Sequence, residues 1–118
     1  MAQLKKINGD NNTYINKNML VSMVTLAAKE IKGVIDVYQS RRLSFKSLFD
    51  KNIGKGVKIK YTNLGALIDI YVIISTDCEV NDIVYRIQQN VINSTKSLLP
   101  IKIKAINVHI MDAEKSSL

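Results

Sequence analysis

The chain has one cysteine, one proline, one histidine and 6% aromatic residues, and each scarcity removes a class of protein. Cys78 alone supports neither an internal disulfide framework nor a cysteine-rich zinc site, which fits a reducing compartment. Long hydrophobic runs are missing as well. The opening MAQLKKINGDNNTY has lysines but no apolar h-region behind them, and no later segment approaches the length of a membrane span. The expectation is a cytoplasmic chain, neither exported nor membrane-spanning. Internal repeats and low-complexity tracts are absent. The phosphate-loop pattern is absent too, since Gly54-Lys55-Gly56 runs into a strand pattern where a helix should follow.

What is present is one core's worth of apolar residues and an uneven charge. At 118 residues and 47% hydrophobic, the chain has the size of a single domain. The net charge is +7, and residues 41–60 alone hold Arg41, Arg42, Lys46, Lys51, Lys55, Lys58 and Lys60 against Asp50. The rest of the chain is nearly neutral.

Residues 1–12 and 112–118 are polar and are expected to be flexible tails around a single domain at 13–111. Thr13 to Asn16 reads as a short strand, with Asn16 as the N-cap of a helix over 17–32. In that helix Met19, Leu20, Met23, Val24, Ala27 and Ile31 form an apolar stripe, and Gly33 supplies the positive φ of a C-terminal cap. A short strand follows in VIDVY. From Val57 the period changes to two: Val57, Ile59 and Tyr61 alternate with Lys58, Lys60 and Thr62, and Ala66, Ile68, Ile70, Val72 and Ile74 continue the pattern in a second strand.

For both apolar sets to share a face, paired residue numbers must sum to an odd value. Leu64 suits a primed two-residue turn poorly, so the expected loop is Asn63 to Ala66 with Gly65 at positive φ, which places Lys60 opposite Asp69. Glu79 to Leu99 reads as a second helix with Val80, Ile83, Val84, Ile87, Val91 and Leu98 buried, stopped by Pro100. The last strand alternates through Ile101 and Ile103, then Ile106, Val108 and Ile110, with a phase slip near Ala105 that predicts a bulge. The fold class is α+β: two helices on one face of a small mixed sheet, in the order β-α-β-β-β-α-β.

These elements carry a resemblance. Lys55 to Lys58 (KGVK), Ile68 to Val72 (IDIYV), the VYRIQQNV of the second helix and Ile106 to Ile110 (INVHI) resemble the alkaline shock protein family, small envelope stress response proteins of Gram-positive bacteria. INKNMLVSMVTLAAKEIKGV is similar to the family's first helix and the glycine after it. The chain departs from the family pattern in having Val80-Asn81-Asp82 where Ile-Pro-Glu is frequent, and Leu99-Pro100 where Thr-Gly is frequent. The resemblance implies a non-enzymatic protein that self-associates into homo-oligomers, works at the cytoplasmic face of the membrane and is recruited there by a membrane-anchored partner. It implies no cofactor, and it implies nothing about the basic middle of this chain.

The residues themselves point to no catalytic centre. His109 reads as a sheet-face histidine, because no motif links a serine or cysteine nucleophile to it. Cys78 precedes a helix, but Asp77 and Glu79 beside it oppose activation of the thiol. Asp77, Glu79 and Asp82 complement the positive end of the helix dipole and need no metal to explain them. Two readings stand for residues 41–60, where Leu43, Phe45, Leu48 and Phe49 interleave with the basic residues. One is a solvated loop with its aromatics tucked against the core. The other is a docking surface of Arg41, Arg42, Lys46, Lys51, Lys55, Lys58 and Lys60 for an acidic partner or anionic lipid. A small basic nucleic-acid-binding domain is the alternative function; it fits the charge, but a GXXG loop is absent and Tyr71 is the clearest aromatic on the polar sheet face.

Overall fold

An eleven-residue strand from Gly65 to Ser75, alternating in burial as far as Ile74, is the one on which the rest of the fold is assembled. The computed structural model describes residues 4–6, 14–38, 56–97 and 102–115, with side chains from Lys17 onward. In chain order the elements are β1 (Leu4–Lys6), β2 (Tyr14–Asn16), α1 (Lys17–Lys29), β3 (Val34–Val37), β4 (Val57–Thr62), β5 (Gly65–Ser75), α2 (Val80–Thr95) and β6 (Ile103–Glu114). β5 is central. Its first half pairs antiparallel with β4 and its second half antiparallel with β3, so β3 and β4 lie in line along one edge. β6 runs parallel to β5 on the other edge. A parallel neighbour needs a crossover, and α2 is that crossover.

Alternation decides which side of the sheet is covered. Val57, Ile59, Ala66, Ile68, Ile70, Val72 and Ile74 are buried, whereas their strand neighbours Lys58 and Lys60 are exposed. Against the buried face lie Leu20, Val24, Ala27 and Ala28 of α1 and Ile83, Ile87 and Val91 of α2. Full burial of one such aliphatic side chain contributes about 1.5–3 kcal/mol. Asn90 ties the helices together, its Nδ2 donating to the Ala27 carbonyl at 2.7 Å, and Gln88 Nε2 ties α2 to β6 through the Ile106 carbonyl at 2.9 Å. The α+β class, the mixed sheet and the helices on one face agree with the sequence reading.

Several details differ from it. The β4–β5 loop has two residues, Asn63 and Leu64, because Thr62 pairs with Gly65; the odd sum holds, but Lys58, not Lys60, stands opposite Asp69. The Thr62 hydroxyl makes the shorter turn workable by accepting from the Leu64 N–H at 3.2 Å and donating to the Gly65 carbonyl at 2.7 Å. Gly65 does take the positive φ, 126°, and a Cβ there would stand 2.7 Å from the Lys102 carbonyl oxygen. Gly33 takes the expected positive φ at 103°.

Both helices are shorter than their apolar patterns. α1 ends at Lys29, and its buried arc centres on Leu20, Val24 and Ala27, which leaves Met19 on the flank, 52% exposed. In α2 the arc follows Ile83, Ile87, Val91 and Thr95, so Val80 at the first position is exposed. α2 ends at Thr95, five residues before Pro100, while Leu98 lies outside the described residues. Glu79 is its N-cap but makes no side-chain capping bond, and Asp82 instead pairs with Arg86 at 3.0 Å. The anticipated bulge in β6 is present as a register shift between Ile103 and Ala105, and a second shift falls between Ile110 and Asp112.

At both ends the strands reach further than the sequence indicated. β1 pairs antiparallel with β2, and β6 continues three residues past Met111 to Glu114. Among the described residues no helix is long and apolar enough to cross a membrane.

Tyr61 is the one strain in the core side of β4. Its hydroxyl is buried and meets no hydrogen-bond partner among the described residues, and burial pushes the phenol above its ordinary pKa of 10.0. Removing an unsatisfied buried group is favourable, so Tyr61→Phe is expected to stabilise the fold by about 1 kcal/mol in urea unfolding. The sign of the pH effect follows from the raised folded value: the stability tied to the neutral phenol is complete below pH 10 and is lost as pH climbs through the folded pKa. The parent should therefore lose stability above pH 10 and Tyr61→Phe should not share that part of the loss. A variant less stable than the parent would mean that the hydroxyl has a partner.

Candidate docking face

The face of the sheet turned away from the helices is built by the odd-numbered residues of β5 and their neighbours. Lys58 and Lys60 come from β4, Leu67, Asp69, Tyr71 and Ile73 from β5, and Asn107 and His109 from β6. Register fixes who meets whom. Asp69 lies between Lys58 and Asn107, and Tyr71 lies beside His109.

His109 Nε2 is 2.9 Å from Asp69 Oδ1, and Asn107 Nδ2 donates to the same oxygen at 3.3 Å. The Tyr71 and His109 rings stack, with centroids 4.5 Å apart and planes 13° from parallel. Lys58 Nζ lies 5.5 Å from the Tyr71 centroid, within cation–π range. Three strands thus fasten one cluster of polar and aromatic groups on the face that neither α1 nor α2 covers.

The backbone of Tyr71 has a second role. Its carbonyl accepts from the Tyr38 N–H at 2.7 Å and its N–H donates to the Gly56 carbonyl at 2.8 Å. Tyr38 ends the described part of β3's strand line and Gly56 begins β4's, so the chain leaves the sheet edge and returns to it at one residue of β5. Between those points run residues 39–55. Of the sequence-predicted docking residues, Lys58 and Lys60 are exposed on the open face, while Arg41, Arg42, Lys46, Lys51 and Lys55 lie outside the described residues.

A histidine oriented by a carboxylate needs a nucleophile or a substrate pocket to become a general base. Among the described residues no serine or cysteine is hydrogen-bonded to His109; Ser75 Oγ accepts from the Asp77 N–H, and Cys78 packs toward Gly33. Also among the described residues, no group of three or more His, Cys, Asp or Glu could hold a metal ion. A cleft of about 370 Å³ between α2 and β6, lined by Gln88, Gln89, Ile92, Thr95, Lys96 and Lys104 among others, brings two lysines together but, among the described residues, no carboxylate, histidine or cysteine. Sequence reasoning placed His109 on a sheet face but missed its partner, because only the parallel β5–β6 register puts Asp69 within reach.

A family model described as having a cell envelope-related function matches residues 5–114. The chain belongs to the alkaline shock protein family. Among alkaline shock proteins and their kin, the uncharacterized protein Spy1614 of Streptococcus pyogenes is 29% identical over 101 residues, covering 83% of this chain and 84% of that protein. The uncharacterized protein YqhY of Bacillus subtilis is 28% identical over 87 residues, covering 73% of this chain and 64% of that one. For the fold alone, the alkaline shock protein chain is similar to solved structures of the MamM CTD. The nickel form of a variant has a TM-score of 0.55 at 14% identity, covering 82% of this chain and 99% of that one. The MamM CTD fragment 215–293 has a TM-score of 0.53 at 15% identity, covering 84% and 98%.

Proposed function

We propose that this member of the family is a non-enzymatic, stress-related interaction and scaffold protein. It self-associates and docks peripherally at the cytoplasmic side of the cell envelope through a membrane-anchored partner, with anionic lipid as a second contact. The observation that carries the reading is that the chain leaves the sheet and returns to it at one residue, with two exposed lysines following the return. The segment that holds Arg41, Arg42, Lys46, Lys51 and Lys55 leaves and rejoins the sheet at Tyr71, beside the exposed Lys58 and Lys60. A basic stretch joined at its two ends to β3 and β4, along one edge of the sheet, suits electrostatic docking to an acidic surface. Family membership with a cell envelope-related function supports the location.

Nucleic acid is the second reading, favoured by the net charge of +7. Base stacking requires free aromatic faces, and the Tyr71 ring is already stacked on His109. Absence of binding to a random oligonucleotide at low salt, or binding without a steep fall as salt rises, would remove that reading.

The scaffold reading is tested by light scattering on the full chain at high micromolar concentration. The expected mass is that of two or more chains, and a strict monomer across the concentration range would overturn self-association.

A further inference from the structure

We propose that the cleft between α2 and β6 binds a short aliphatic chain that ends in an anionic head, a free fatty acid being the simplest such ligand. The proposal goes beyond the docking reading and uses none of its residues. Three observations on this side of the fold converge on it.

The first is how the cleft is made. Gln88, Ile92 and Lys96 recur every four residues along α2, a separate row from the arc that Ile83, Ile87 and Val91 bury, and this row forms one wall. The other wall is Ile103 to Ile106 of β6. A regular strand turns successive side chains to opposite faces, yet four consecutive residues here line one cleft. The register shift accounts for it: Ala66 pairs with Ile103 and Leu67 with Ala105, so Lys104 is an extra residue with no counterpart on β5. A bulge of this kind bends its strand and re-aims a side chain. Ala105, the next residue, supplies only a methyl group to the wall. The seam between helix and strand is left open to about 370 Å³, within the size range of small-ligand sites.

The second is the apolar lining. Ile92 and Ile103 are half-buried and Ile106 is buried, whereas the described lining residues include no aromatic ring on which a base or another planar group could stack. An aliphatic body suits these walls.

The third is which polar groups remain unspent. Thr95 is buried, and its hydroxyl is turned to the Val91 carbonyl at 2.8 Å and the Ile92 carbonyl at 3.2 Å. Gln88 Nε2 is committed to the Ile106 carbonyl at 2.9 Å. Lys96 on one wall and Lys104 on the other are exposed, and neither makes an ion pair among the described residues. Two ammonium groups, with the Gln89 amide, are thus the donors left for the ligand's head. Because no carboxylate lines the cleft among the described residues, a cationic ligand is disfavoured and an anionic one is matched.

The test is calorimetric titration of the full chain with octanoate, octanol and octylamine, repeated on Lys96→Gln and Lys104→Gln, with circular dichroism to confirm folding. Octanoate is expected to saturate one site per chain, and octanol and octylamine to bind at least about tenfold more weakly, since neither accepts a charge-assisted hydrogen bond from lysine. Each folded lysine variant should weaken octanoate about tenfold and leave octanol unchanged. Acetate, the same head without the chain, should bind far more weakly than octanoate, because burial of the chain supplies the remainder. In solution NMR the amide shifts caused by octanoate should fall on residues 88–96 and 103–106. A free fatty acid and a membrane lipid share this chemistry, and monomeric dihexanoyl phosphatidylglycerol separates them: with two chains it should fail to displace octanoate, and displacement would overturn the free acid as the source. Absence of saturable binding, equal affinity for octanol and octanoate, or octanoate bound equally by the parent and both variants would each overturn the site.

Discussion

Gly56→Ala is expected to lower the unfolding free energy by roughly 3 kcal/mol, a large share of what a domain of this size possesses. Gly56 has φ 79°, a backbone conformation that costs a residue with a Cβ about 1–2 kcal/mol. The added carbon would also stand 2.3 Å from both the Tyr38 carbonyl oxygen and Val37 Cγ1. One of those is backbone and the other belongs to a core side chain, so neither can turn aside. Relief requires β3 and β4 to separate where both hydrogen-bond to Tyr71, and that junction is where residues 39–55 leave and return. Urea unfolding of parent and variant checks the magnitude. A loss below about 1 kcal/mol would mean that the two strand ends do not meet as closely as described.

The elements that were legible in the sequence are those whose signal is local. Ile83, Ile87 and Val91 at helical spacing and Val57, Ile59, Ile68 and Ile70 at a spacing of two announce both their element and their buried side. The β6 bulge was legible because a slip in the alternation must be absorbed somewhere. The hairpin register was legible only modulo two: the parity follows from the apolar faces, but the loop length depends on the Thr62 hydroxyl closing the turn, and a sequence pattern does not count that bond.

Long-range placement was hidden. Nothing in Val34–Val37 says that β3 continues the line of β4, because that depends on which part of β5 each strand meets. The same holds for Asp69 and His109, which come within 2.9 Å through a parallel pairing across 40 residues of chain. Met19 and Val80 misled in a different way. Each extends an apolar stripe by one residue, and the buried arc of a helix over a twisted sheet is narrower than the stripe. The docking residues divide along the same line: alternation was enough to place Lys58 and Lys60 on the outer face, whereas the fate of Arg41, Arg42 and Lys46 depends on contacts that no local period encodes.

The second large effect is on docking. Replacing Arg41, Arg42 and Lys46 together with serine is expected to weaken attachment to the envelope by about a hundredfold at low salt, since each basic residue near an anionic surface contributes ~1 kcal/mol and three are removed. Folding should change by only a few tenths of a kcal/mol, as is usual for solvated charges. The gap between parent and variant should close as salt rises, because screening weakens the interactions that distinguish them.

The measurement that tests the central claim most directly is co-sedimentation of parent and triple variant with isolated native membranes and with vesicles of anionic lipid, across a salt series. Docking through the basic segment predicts that the parent pellets with the native membranes at low salt, that the variant stays largely in the supernatant, and that both converge at high salt. Equal sedimentation of the two proteins at every salt concentration would contradict it and leave residues 41–55 as a solvated connection between β3 and β4.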